Sequence, residues 1–414
     1  MNESAGSDTE RIAPVPRISV QAFCETSEVA HIIQEAIADR RMEKAHVKVH
    51  MGGALAAVEA YRTAPTPNVI VLETTADRDE LIQHLEALAE FCDAGTKVVV
   101  AGRMNDIVLY RDLIARGVSD YLVLPLSILD FIRTISQLYT SAGTEPLGKV
   151  ITVTGAKGGV GASAVAHNIA WAIARDLEIQ TVIADMDLGF GTVGLDFNQD
   201  PPQGIAEAVF APDRVDSNLV DRLLSKCSDK LSILAAPATL DRFYDFPESA
   251  FDLLIDILRT STPFIILDVP HMWTAWTRRM LVNADEIVLV ANPDLANLRN
   301  VKSILDTVSA ARPNDGRPKL VMNAVGVQKR PEISISDFAK AVDLDPVAII
   351  PFDPKLFGTA ANNGQMIAEV EPANKINETI NELARIVTGR TDARKTKRKL
   401  LDPLMTKLRA RKTS

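Results

Sequence analysis

Ten residues, Thr154-Gly155-Ala156-Lys157-Gly158-Gly159-Val160-Gly161-Ala162-Ser163, constrain this chain more than any other stretch. An apolar run, Val150-Ile151-Thr152-Val153, precedes them, and a helix-forming run from Ala164 to Ala174 follows. Strand, glycine-rich turn and helix in that order are the setting of a phosphate-binding loop. The glycines let successive backbone N–H groups turn inward on a phosphate chain, and the helix opening adds positive partial charge. Such loops ordinarily close on Gly-Lys-Ser/Thr. Here Ala162 stands at the lysine position, Ser163 keeps the hydroxyl, and another lysine, Lys157, precedes the paired glycines. A glycine-rich strand-to-helix turn that holds no ligand is the plainer alternative.

A chain of 414 residues has room for two or three domains. Its 47% hydrophobic and 24% charged residues are ordinary for a globular protein. No apolar run approaches the roughly 20 residues needed to span a bilayer. The start, Met1 to Arg17, is polar and lacks the apolar stretch of a secretory signal. Cys24, Cys92 and Cys227 lie far apart, form no metal-ligand spacing, and read as reduced thiols of a cytoplasmic protein. Charge is uneven: from Arg390 to Ser414, ten Lys and Arg face only Asp392 and Asp402, although the whole chain is at −9. The body is therefore acidic and the tail basic. An acidic body argues against non-specific DNA coating.

Strand-like and helix-like runs alternate through the first half. The strands are expected at 18–23, 45–50, 69–72, 98–101 and 121–124, and the helices at 29–38, 54–62, 80–91, 107–116 and 129–138. Five βα units in so short a span imply a parallel sheet covered on both faces. After a short linker, 141–148, the alternation resumes. Thr181–Asp187 is a buried strand ending in two carboxylates; Phe264–Pro270 is another, carrying Asp268; Leu320–Asn323 ends in an amide. Further strands are expected at 231–234, 287–291 and 347–350, and a closing helix at 374–388. The fold expectation is α/β: a (βα)5 domain over 17–140, then a mostly parallel, doubly wound domain over 149–389. A disordered start over 1–16 and a basic tail over 390–414 flank them.

The motif Lys157-Gly158-Gly159-Val160-Gly161-Ala162-Ser163 resembles the deviant Walker A box of the MinD/ParA family of P-loop ATPases. The resemblance implies that Lys157 is a signature lysine reaching the partner's phosphates in a nucleotide-sandwich homodimer. It implies ATP and Mg2+ as ligands, bound by Lys157, Gly158, Gly159, Val160, Gly161, Ala162 and Ser163. Ser163 would ligate the metal, Asp268 would hold it through water, and Asp187 would place the attacking water. Asn323 would meet the adenine edge, with Pro351 beside it. The family's second lysine does not carry over to Ala162. Losing one buried, charge-assisted phosphate contact costs about 2–5 kcal/mol of stabilisation, so turnover is expected to be slow or absent.

The first half, ending in Gly117-Val118-Ser119-Asp120-Tyr121-Leu122-Val123-Leu124-Pro125, looks like a response-regulator receiver. Glu25, Glu73, Ala101 and Leu124 stand about where that chemistry needs its acidic pair, phosphoacceptor, hydroxyl and lysine. The domain therefore reads as a degenerate receiver for interaction or dimerisation, with Glu73 a solvated loop carboxylate. Asn292-Pro293-Asp294 and the stretch from Pro351 to Gly364 are similar to the CpaE/TadZ branch of the family, which works in Flp/Tad (type IVb) pilus assembly. The resemblance implies a cytoplasmic protein, peripheral at the inner membrane or cell pole, whose partners are a pilus assembly or secretion ATPase and inner-membrane components.

Leu401, Leu404, Met405 and Leu408 share one helical face in the basic tail, which suits an anionic membrane surface; a solvated tail is the alternative. Trp273 and Trp276, just after the Asp268 strand, read as core packing or as a binding hot spot. No specific nucleic acid is expected. A non-hydrolysing scaffold and a ParA-type DNA partition ATPase are the other functional readings.

Overall fold

The computed structural model describes residues 12–140, 147–237 and 239–390. Two compact units emerge, one of residues up to Pro146 with Arg312–Asn314, the other the remainder. The basic tail from residue 391, with its apolar face, and most of the expected linker lie outside the described residues.

In the first unit, chain order runs β1 (Ser19–Cys24), α1 (Ser27–Ile37), β2 (His46–Met51), α2 (Gly53–Tyr61), β3 (Val69–Thr74), α3 (Arg78–Ala89), β4 (Lys97–Gly102), α4 (Ile107–Ala115), β5 (Asp120–Val123) and α5 (Ile128–Gln137). The sheet is parallel throughout, in the order β2-β1-β3-β4-β5. That is the flavodoxin-like arrangement. Every residue of β3 is buried, as a central strand covered on both faces requires. Thr26, Asp77, Asp106 and Ser127 each accept a backbone N–H at the start of α1, α3, α4 and α5. Side-chain capping of this kind stabilises a helix by about 1 kcal/mol. The expected disordered start is corrected where it is described. Ile12 and Val15 are buried in one apolar cluster with residues of β1, α1 and α5, such as Val20, Ile33 and Phe131, and Val15 N–H donates to Arg41 O.

Glu73 corrects a second expectation. It is 1% exposed, not solvated. One carboxylate oxygen accepts from the backbone N–H groups of Glu25 (2.8 Å) and Thr26 (2.9 Å), the other from the Thr26 hydroxyl (2.6 Å). Glu25 in turn accepts from the N–H and hydroxyl of Thr75. The would-be phosphorylation pocket is a closed hydrogen-bond knot. Burial, then the adjacent Glu73 charge, push the Cys24 thiol up to about 12, so it remains a thiol.

The second unit opens with β6 (Lys149–Gly155), α6 (Ala162–Asp176) and β7 (Thr181–Asp185), followed by the short helices α7 (Val193–Asp196), α8 (Ile205–Phe210) and α9 (Ser217–Leu223). Then come β8 (Ser225–Lys226), β9 (Leu231–Leu234), α10 (Asp252–Ser261), β10 (Phe264–Val269), α11 (Ala275–Asn283), β11 (Glu286–Ala291) and α12 (Leu295–Ala311). The unit closes with β12 (Lys319–Val325), α13 (Ile335–Val342), β13 (Ala348–Pro351), α14 (Pro354–Asn363), α15 (Ile367–Val370) and α16 (Lys375–Thr388). Its eight strands are ordered β13-β12-β11-β6-β10-β7-β9-β8, all parallel except the β8–β9 edge pair. Helix α6 is apolar nearly all round, with Val165 to Ala170 buried, and packs in the main core with α16. A helix with no polar face belongs inside. Strands β6, β7 and β10 are adjacent, so their C-terminal ends, which carry the glycine turn, Asp185 and Asp268, meet at one edge of the sheet.

Candidate functional site

The turn between β6 and α6 is held from below and left open above. Ala156 N–H donates to Val290 O at 2.8 Å, and Asn300 Nδ2 donates to Ala156 O at 2.8 Å. Val160 is buried, whereas Lys157, Gly158 and Gly159 form an exposed crest. Gly159 and Gly161 have φ of +78° and +84°, the left-handed region that side chains disfavour. At Gly161 a Cβ would also lie 2.5 Å from Asn323 Nδ2. Unlike α1, α3, α4 and α5, helix α6 has no side-chain cap on its opening turn, so N–H groups there are free to meet a ligand. Ala162 and Ser163 are half-buried within that first turn. No ammonium comes from position 162.

Asn323, buried on β12, donates Nδ2 to Val160 O at 2.8 Å and so ties the loop to the sheet. It lines a cavity of about 270 Å³ together with Gly159, Val160, Gly161, Pro351 and Phe352. A larger cavity of about 640 Å³, bounded by Phe210, Arg214, Arg222 and Arg242, contains none of the site residues expected from sequence.

Below the loop lies a carboxylate cluster. Asp185, 1% exposed, accepts from Asp187 N–H and Val193 N–H, both at 3.1 Å. Only glycine fits at 191, where a Cβ would sit 2.2 Å from Asp185. Burial, then the Asp268 charge, raise the Asp185 carboxyl to about 7. Asp187 is half-buried, and one of its oxygens accepts from Phe190 N–H at 3.1 Å. Asp268, 5% exposed, faces a residue that sequence reasoning missed. His167, on α6 one turn past Ser163, is fully buried; its Nε2 lies 3.2 Å from Asp268 Oδ2 and its Nδ1 2.7 Å from Asp196 Oδ2. Thr192 Oγ1 donates to the same Asp196 oxygen.

With a carboxylate at each ring nitrogen, both positions call for a donor, so the ring is an imidazolium. Burial pushes His167 toward the neutral form, but Asp196 and Asp268 outweigh it and raise the group to about 9. The one available signal in the sequence was a titratable residue inside an otherwise apolar helix. Beyond β10, the His271 ring lies against the crest, within 3.1 Å of where a Gly158 Cβ would be. The two tryptophans there diverge: Trp276 is buried against Phe251, and Trp273 is 51% exposed.

No protein-family model matches the chain. A solved structure of the pilus assembly protein CpaE from Caulobacter crescentus CB15 is 46% identical, covering 32% of this chain and 100% of that one, with a TM-score of 0.31. The sequence identity over the whole of that relative, not the superposition, decides the family. This chain belongs to the CpaE-like proteins of the MinD/ParA family. A ParA family ATPase from Chlorobium tepidum TLS, 24% identical, covers 57% of this chain and 98% of its own, with a TM-score of 0.52, and shows a shared fold. The septum site-determining protein MinD of Synechocystis is 25% identical over 247 residues, 59% of this chain and 90% of that protein. Among the described residues no helix is long and apolar enough to cross a membrane.

Proposed function

We propose that this chain binds Mg-ATP at the turn between β6 and α6, acts as a homodimer, and organises pilus assembly machinery at the inner membrane, with weak or absent hydrolysis. The carrying observation is the combination of an exposed glycine crest, an uncapped α6 and an adjoining cavity ending at Asn323 and Pro351. The donor set fits the ligand. Backbone N–H groups from Gly158 to Ser163 would hold the phosphates, the cavity would hold the base and sugar, and Ser163 with Asp268 would hold the metal, Asp268 through water. Magnesium supplies charge neutralisation at the phosphate chain when bound.

Lys157, exposed on the crest, would reach the second copy's phosphates, which couples nucleotide binding to dimerisation. Asp187 would orient water. Two observations favour little turnover: position 162 offers only a methyl group, and Asp268 already shares an oxygen with His167. They equally support a scaffold that holds nucleotide without cleaving it. The acidic body disfavours a DNA partition role. The pilus role is inferred from the CpaE relative, and the inner-membrane and secretion-ATPase partners from the resemblance carried by Asn292-Pro293-Asp294 and the stretch from Pro351 to Gly364. Calorimetric titration with Mg-ATP tests the reading: micromolar to sub-millimolar binding is expected, and no heat at millimolar ligand refutes it.

A further inference from the structure

We propose that His271 contacts the terminal phosphate of the nucleotide, taking over part of the task that Ala162 leaves undone; this rests on the reading of the glycine turn as a triphosphate site. Strand β10 pairs with β6 so that Val269 lies beside Thr154, and the segment leaving β10 emerges at the sheet edge where the turn begins. Two residues later His271 covers the open face of Gly158. A Cβ added there would lie 3.1 Å from Cε1, 3.5 Å from Nδ1 and 3.6 Å from Nε2, so both ring nitrogens stand at the crest.

Gly158 lies on the crest, on the β6 side of the base-sized cavity, whose lining begins at Gly159 and continues through Val160 and Gly161 to Asn323 and Pro351. A nucleotide seated in that cavity runs its phosphates along the loop toward the His271 end. Among the described residues, no side chain hydrogen-bonds the His271 ring, and the residue is exposed. Either tautomer of the neutral ring carries one N–H donor, so the contact needs no change of charge. A ring at this position distinguishes a triphosphate from a diphosphate, because only the former extends to it.

The test is calorimetry of Mg-ATP and Mg-ADP binding to the full chain and to His271→Ala and His271→Gln. The Ala variant is expected to lose about tenfold in ATP affinity, the worth of one hydrogen bond to a charged group, and less than about twofold for ADP. Glutamine, which retains a donor, recovers most of the ATP loss. An unchanged ATP-to-ADP ratio in the Ala variant overturns the assignment, as does an equal loss for both nucleotides. If the Ala variant does not fold, His271→Leu, which fills the space without a donor, takes its place: a tenfold fall in the ATP-to-ADP ratio that glutamine does not show supports the contact, and a ratio equal to the wild type overturns it. A wild-type chain that binds neither nucleotide fails the Mg-ATP reading itself, a separate outcome from a wild type that binds and an Ala variant that binds identically.

Discussion

Replacing His167 with glutamine should destabilise the nucleotide-free protein by an amount that shrinks as pH rises. In the folded chain His167 is raised to about 9 from an ordinary 6.5 by Asp196 and Asp268, which overcome its burial. A raised basic group binds its proton more tightly when folded, so its contribution is complete below pH 6.5 and is lost as pH climbs through 9. At about 1.36 kcal/mol per pH unit, the interval corresponds to about 3 kcal/mol. Breaking a buried ion pair by removing one partner costs about 3–5 kcal/mol, which agrees in size. A domain of this length moves about 2–4 °C per kcal/mol, so the variant should melt about 6–12 °C below wild type at pH 6. The His167 charge also draws the raised Asp185 carboxyl down, so part of the gap near neutral pH is that interaction, and it too disappears once the ring is neutral. Trp171, Trp273 and Trp276 are the chain's three tryptophans and all lie in the second unit, so their fluorescence reports its unfolding selectively. Melts at pH 6.0, 7.5 and 9.5 should show the gap closing toward zero. A gap of equal size at all three values would refute the imidazolium between Asp196 and Asp268.

Ala162→Lys should raise ATP turnover by tenfold or more if the remaining site is competent, measured by phosphate release; an unchanged rate would place the deficit at Asp187 or Asp268. Lys157→Ala should leave the fold intact and abolish ATP-dependent dimerisation in sedimentation, and a dimer that persists contradicts the cross-subunit role. Glu73→Ala orphans the N–H groups of Glu25 and Thr26, so denaturant melts of the first unit should lose about 2–4 kcal/mol. Acetyl phosphate should not label the first unit, because Glu73 is buried and already holds three donors. Iodoacetamide at pH 8 should spare Cys24, whose thiol is buried and raised to about 12, and rapid labelling there would argue against the closed knot around Glu73.

The strands were legible because buried parallel strands are apolar almost without interruption. The run Val69–Leu72 extends in the structure to Thr74, and Leu231–Leu234 has the same ends in both. The turn was legible because left-handed positions such as 159 and 161 leave a glycine imprint on the local sequence. Helices α7, α8 and α9 left no such imprint, being too short for a periodic apolar face. Glu73 and Trp273 show the limit in opposite directions. A charged side chain at a strand end is buried because neighbouring N–H groups converge on it, and an aromatic side chain stays half exposed on the segment that follows β10.

By itself, then, the order of residues determined two α/β units, a glycine turn between strand and helix, and the absence of a lysine at position 162. These are properties of adjacent residues, set by backbone torsion and local apolarity. Tertiary structure alone decided that His167 bridges Asp196 and Asp268, partners 29 and 101 residues away, and that His271 rests on Gly158. Strand pairing brings these groups together, and only at that separation does a neighbour's charge outweigh the loss of water around a buried ring.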